Sequence, residues 1–151
     1  MQSSEGFGLL ELMVVLVVSG LLATLAIPAY NDSVDRARTA RAIGDIASIS
    51  LEIEKFRLAN DSLPPLTLAE LPVTVPLDPW SRPYAYLSIA AAGPGKGAFR
   101  KDGNLNPLNT DFDLYSAGKD GASKAPLNAK FSRDDIVRAN NGAFIGRAEE
   151  Y

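Results

Sequence analysis

The first thirty positions of the chain carry almost no polarity. From Phe7 to Ile27 it reads FGLLELMVVLVVSGLLATLAI, 21 residues with the single charge Glu11, and Pro28 follows. At about 1.5 Å per residue, a helix of this length spans roughly the 30 Å hydrocarbon core of a bilayer. The uncharged length predicts a membrane-inserting helix rather than a buried core helix. Its small residues, Ser19, Gly20, Ala23, Thr24 and Ala26, permit close helix–helix approach. A cleaved secretory signal is the rival. It fits poorly, because residues 1–6 hold no Lys or Arg and no small-x-small cleavage site follows the apolar run. Glu11 costs on the order of 2.5–3.5 kcal/mol at mid-membrane. Either it sits shallow and reaches the headgroups, or it waits for a cation. No Lys or Arg lies near it in its own helix, so that cation would be an α-amino group or belong to another chain.

Beyond Pro28 the pattern changes to a helical stripe. Val34, Ala37, Ile43, Ile46, Ile49, Ile53 and Phe56 recur at three- and four-residue steps, with Arg36, Arg38, Arg41, Asp45, Glu52 and Lys55 off the stripe. Leu63-Pro64-Pro65 ends it, since residues before proline avoid the helical region. One helix from about Leu9 to Asn60 would be roughly 75–80 Å long. The rest of the chain can cover only its second half, so the first half must lie in lipid or against other copies. A repeated heterologous contact that does not close builds an open filament, which makes polymerisation the physical expectation. Pro28 removes one hydrogen bond inside this helix and predicts a kink.

The remainder is Pro- and Gly-punctuated. Residues 63–83 predict an irregular connector with a short helical turn at 66–71. Ala85-Tyr86-Leu87 has strand character, and residues 111–116 (DFDLYS) alternate polar and apolar as a half-buried strand does. Residues 117–121 (AGKDG) make a turn, and 93–97 (GPGKG) a loop. A small antiparallel sheet packed on the long helix, an α+β fold, is expected. Trp80 is expected as a core anchor holding the connector to the sheet.

Composition narrows the chemistry. The 151 residues include no cysteine and no histidine, which removes disulfides, imidazole or thiolate zinc sites, cysteine nucleophiles and histidine bases. The net charge of −3 gives no footprint for nucleic acid. The 46% hydrophobic content belongs to an ordinary globular protein, but it is concentrated at one end.

Residues 6–12 (GFGLLEL), the apolar run and Pro28-Ala29-Tyr30 resemble the class III signal of type IV pilins and type II secretion pseudopilins. The resemblance implies that a prepilin peptidase cuts after Gly6 and methylates Phe7. It also implies that Glu11, then the fifth mature residue, neutralises the N-terminal amine of a neighbouring subunit, and that the helix unwinds around Pro28 in the fibre. Gly8 stands where the family has a small polar residue. The leader 1–6 lacks the usual basic residue while Arg36, Arg38 and Arg41 follow the apolar run. The positive-inside rule alone would therefore place the N-terminus outside, opposite to what the resemblance implies; a longer natural leader would remove the conflict. Residues 78–84 (DPWSRPY) and 111–121 (DFDLYSAGKDG) are similar to the DPWGxPY and DYDLYSLGADG stretches of the major pseudopilin family, with Ser81 in place of a glycine.

This resemblance implies a pilin-like fold with three parts: a cleaved leader (1–6), a transmembrane and polymerisation half-helix (7–30) and a periplasmic domain (31–151). It implies a structural subunit, not an enzyme, in the bacterial inner membrane. Its partners would be further copies of itself, minor pseudopilins, the prepilin peptidase and an inner-membrane assembly platform, with no nucleic acid. The neighbouring reading is a type IV pilin or minor pilin for adhesion, motility or DNA uptake, which usually carries a C-terminal disulfide. A membrane-tethered enzyme is the reading from another class. Asp111 and Asp113 could do acid–base work, yet nothing supplies a nucleophile.

The family also holds its C-terminal loop with calcium. Carried over, the ligands are the carboxylates of Asp120, Asp134 and Asp135 and the carbonyls of Ala117 and Ala122, oxygen donors suited to that ion. Thirteen residues separate Asp120 from Asp134, more than is usual in the family, and Arg133 offers a competing partner. By themselves Asp134-Asp135 before Ile136-Val137 read equally as a helix N-cap or a solvated pair. A faint EF-hand likeness at 102–113 lacks its glycine, replaced by Pro107.

Overall fold

The computed structural model describes residues 8–89, 99–103 and 105–151. The loop expected at 93–97 lies outside them. Helix α1 runs Leu9–Ala59. It is followed by strands β1 (Ala85–Ser88), β2 (Phe112–Ser116), β3 (Ile136–Ala139) and β4 (Phe144–Arg147). The four strands form one antiparallel sheet in the order β1-β2-β3-β4. By contact density the chain divides after Ala37, with a second compact unit over Arg38–Tyr151.

In the second unit Ala42, Ile46, Ile49 and Ile53 of α1 are buried, at steps of four, three and four that put them on one face. They meet Leu71, Tyr84, Phe112, Leu114 and Ile136 in the main core, with Trp80, Tyr86 and Phe56 packed at its margin. The stripe read from the sequence is therefore present, although Ala37 is exposed and Ala42 is buried in its stead. The helix ends through a left-handed pair, Asp61 (φ 49°) and Ser62 (φ 66°). Ser62 N donates to the Arg57 carbonyl at 2.9 Å and Asn60 Nδ2 to the Phe56 carbonyl at 2.8 Å, so two carbonyls of the last turn find donors.

Strand β2 departs from its half-buried pattern: Phe112, Asp113, Leu114 and Ser116 are all buried. Phe112 and Leu114 face the helix, as expected. The opposite face is covered as well, by a second core of Leu108, Leu127, Val137, Ala139 and Ala148, with Tyr115 and Phe144 beside it. Alternation in the sequence thus marks two different environments, one apolar and one polar, with water excluded from both. The turn Leu68–Glu70 and strands β1 and β2 fall where the pattern placed them.

Two corrections stand out. Asp134-Asp135 cap no helix; they lead into strand β3. The β3–β4 hairpin went unread in the sequence. Its connection is Asn140-Asn141-Gly142, at φ 51°, 54° and 91°, a left-handed run that only asparagine and glycine enter cheaply. That Asn-Asn-Gly signal, flanked by IVRA and FIGR, could have revealed it.

Candidate functional site

In the apolar stretch that opens α1, from Leu9 to Ile27, Glu11 is the one charged residue. Residues 8–33 are exposed throughout, and Leu9, Leu10, Leu16 and Leu25 each show more than 70% of their surface. The helix is apolar and long enough to cross a membrane, with none of its apolar window buried. Glu11 sits in the first turn, and its Oε2 accepts a hydrogen bond from Gly8 N at 3.0 Å. The carboxylate thus serves the positive end of the helix dipole. Gly6 and Phe7, the expected processing positions, lie outside the described residues. Pro28 lies inside the helix, which is continuous through it. Side-chain bonds flank the proline, from Thr24 Oγ1 to the Leu21 carbonyl at 2.7 Å and from Ser33 Oγ to the Ala29 carbonyl at 2.9 Å. These hydroxyls reach back to the preceding turn, the pattern that lets a helix bend.

The 78–84 stretch is organised by one buried carboxylate. Asp78 Oδ1 accepts from Trp80 N at 3.0 Å and Arg82 N at 2.8 Å, while Ser116 Oγ of β2 donates to Oδ2 at 2.6 Å. Asp78 N donates to the Arg82 carbonyl at 2.8 Å and closes the turn. Ser81 sits at φ 66°, where a side chain is strained, which accounts for the glycine in the motif it resembles. The turn presents Arg82 to the 117–121 turn: Nη2 donates to the Lys119 carbonyl at 3.0 Å, and a Cβ on Gly121 would collide with the guanidinium. The two resembling stretches therefore form one joint. Trp80 packs against the main core, as the sequence suggested, with its indole N–H buried and without an acceptor.

The five residues implied for calcium separate into two groups. Asp134 Oδ2 accepts from Asp120 N at 3.0 Å, Asp120 Oδ1 accepts from Ala122 N at 2.7 Å, and the Ala117 carbonyl accepts from Gly121 N at 3.1 Å. Gly118, at φ 61°, lies so close to Asp134 that a Cβ would strike its carbonyl. Asp134 thus holds the turn by an ordinary hydrogen bond. Asp135 faces elsewhere, fully buried, with its Oδ2 taking Arg100 Nη2 at 2.6 Å and Ser123 Oγ at 2.6 Å. Burial pushes its carboxyl up to about 6, against the lowering influence of Ser123 and Arg100. Among the described residues no three carboxylates gather where one ion could bind them. The donor set does not fit a three-carboxylate calcium site, because Asp135 is committed to a guanidinium.

A second ion cluster ties the helix to the sheet. Arg138 of β3 forks onto Asp111, Nη1 to Oδ1 at 2.9 Å and Nη2 to Oδ2 at 2.7 Å, and lies 3.9 Å over the Phe112 ring. Arg57 of α1 stands 3.6 Å from Asp111 and pairs with Glu54. Burial raises the Asp111 carboxyl, but the bonds from Arg138 and Phe112 N outweigh it and hold it below the usual range. Asp113 accepts from Arg100 N at 2.7 Å and Asn109 Nδ2 at 2.9 Å, and burial pushes it up. Asp111, one residue before β2, and Asp113, within it, are therefore structural acceptors committed to separate sets of partners. Arg100 and Arg138 were missed in the sequence. Neither lies in a recognisable motif, and only their burial marks them.

A prokaryotic N-terminal methylation motif matches residues 1–27. The type II secretion system core protein G of Pseudomonas aeruginosa is 31% identical over 140 residues, covering 80% of this chain and 87% of that protein. That of Escherichia coli is 30% identical over 142 residues, 88% of this chain and 89% of its own. Fimbrial protein Q of Moraxella bovis is 42% identical, but over only 48 residues, 32% of this chain and 31% of that protein. No solved structure matches significantly. The likeness to the secretion proteins runs through both the apolar helix and the jointed turns, and the chain belongs to the type II secretion system core protein G family.

Proposed function

We propose that this chain is the structural subunit of a pseudopilus that drives type II protein secretion. It acts by assembly rather than catalysis. The observation that carries the reading is the apolar, wholly exposed half of α1 with Glu11 in its first turn, in a chain of this family. In the membrane lipid covers that surface; in a fibre sibling helices cover it. On this reading a prepilin peptidase cuts between Gly6 and Phe7, and the new amine of one subunit pairs with Glu11 of its neighbour. The chain then stands in the bacterial inner membrane with its second unit in the periplasm. It polymerises with itself and with minor pseudopilins on an inner-membrane platform.

The test is a secretion assay in a deletion strain complemented with Glu11→Ala. The variant should insert and be cut normally, yet fail to form fibres and fail to secrete. Normal fibres and normal secretion would refute the assembly role of Glu11.

A further inference from the structure

We propose that the C-terminal loop of this chain carries its own cation: the Arg100 guanidinium takes Asp135, one of the carboxylates that the family resemblance gives to calcium, and the loop holds without a divalent ion. Arg100 is 2% exposed and Asp135 0%. Besides the contact with Asp135, Arg100 Nη1 donates to Ser123 Oγ at 2.6 Å and to the Lys124 carbonyl at 2.7 Å. A carboxylate, a hydroxyl and a carbonyl thus converge on one positive group. They are the oxygen types that calcium collects, drawn from Ser123, Lys124 and Asp135.

The surroundings fix the guanidinium in place. It lies 4.3 Å over the Tyr115 ring, and its own backbone N–H is anchored to Asp113. Ser123 Oγ donates onward to Asp135 Oδ2, so the hydroxyl is used twice. Beside the 117–121 turn, Arg82 is a second built-in cation, bonded to the Lys119 carbonyl. Asp135 Oδ1 is the one buried oxygen of the pair without a partner. A doubly charged ion brought to it would stand against the Arg100 guanidinium, and like charges at that range repel strongly in a dry interior. The long stretch between Asp120 and Asp134 has the same logic. It carries Ser123 and Lys124, whose oxygens the guanidinium binds, and Ser132, whose Oγ bonds both the N–H and the carbonyl of Lys124. A loop pinned this way does not depend on ion concentration, because an arginine cannot dissociate.

The experiment is thermal unfolding of the full-length protein in detergent micelles, with millimolar calcium or excess chelator, followed by circular dichroism. The wild-type midpoints should coincide. Arg100→Met should melt roughly 10 °C or more lower, because it strands a buried carboxylate. The double variant Arg100→Met/Asp135→Leu should regain most of that loss, since both charges leave together. Arg100→Lys keeps the charge without the two-pronged geometry and should melt between the wild type and Arg100→Met. It also serves as the second variant if Arg100→Met does not fold. A wild-type midpoint that rises with calcium, or an Arg100→Lys variant as stable as the wild type, overturns the proposal. The readout is taken on the isolated subunit, so it stands or falls independently of the fibre.

Discussion

Asp78→Ala tests whether the two family-like stretches form one mechanical joint. The Asp78 carboxylate is 3% exposed and accepts three hydrogen bonds, from Trp80 N, Arg82 N and Ser116 Oγ. Bonds to a charged acceptor contribute about 1.5–3 kcal/mol each, and a buried donor left without a partner costs about 1–3 kcal/mol. Removing the carboxylate also returns its desolvation penalty, several kcal/mol per buried ion. Trp80 and Arg82 are only half-buried, so water can reach some of the freed donors. The net loss should be about 3–4 kcal/mol, near the upper end for a single substitution. Asp78→Asn keeps an acceptor for the two backbone N–H groups and should cost about half as much. The assay is guanidinium unfolding of the detergent-solubilised chain, read by the single tryptophan and in parallel by circular dichroism. A second readout is specific to the joint. Once the turn loosens, Arg82 leaves the Lys119 carbonyl, and protease should cut the 117–121 segment faster. A loss below about 1 kcal/mol for Asp78→Ala, or equal losses for Ala and Asn, would refute the reasoning.

Other outcomes follow from single geometric facts. Ser81→Gly should stabilise by about 0.5–1 kcal/mol, because relief of the φ 66° strain exceeds the added chain entropy; an unchanged denaturation midpoint would contradict this. Gly118→Ala should be among the most damaging small changes, since the position combines φ 61° with a clash at the Asp134 carbonyl, and soluble yield and midpoint should both fall. The pH dependence has two opposite parts. Asp135 titrates near 6 in the folded state against 3.8 as reference, so the folded protein binds more protons between those values. Wild type should therefore gain stability relative to Asp135→Asn as pH is lowered from 7 to about 4. Asp111, held low by Arg138, works the other way. Its contribution is present above the unfolded pKa and is lost as pH falls below about 4, so wild type should lose ground to Asp111→Asn there. Unfolding curves of the three proteins across that range decide both signs.

Much of the fold was legible because it depends on local rules. Ile46, Ile49 and Ile53 announce a helix face by spacing, the strand at 112–116 shows itself by the alternation of 111–116, and β1 by the strand character of Ala85-Tyr86-Leu87. The β3–β4 hairpin was legible in principle from Asn140-Asn141-Gly142. Glu11 was legible because a charge within an apolar run is anomalous wherever the chain folds. The pairing of Asp135 with Arg100, 35 positions apart, was not. Nor was the choice of Asp111 over Asp113 as the partner of Arg138. In sequence the acidic residues at 120, 134 and 135 look equivalent, and only folding sorts them into turn-holders and a buried ion-pair member.

By itself, then, the sequence determined a helix too long and too apolar for its own domain, the composition that denies the chain disulfides, and the family to which its motifs point. These rest on periodicity, length and residue chemistry, which act between near neighbours. The tertiary structure alone decided that β2 is buried on both faces, that Asp78 locks two distant stretches together, and that an arginine occupies the oxygen cradle of the C-terminal loop. Those outcomes turn on which side chains lose their water and which charges meet there. Solvent exclusion is a property of the packed whole, and no local stretch of sequence carries it.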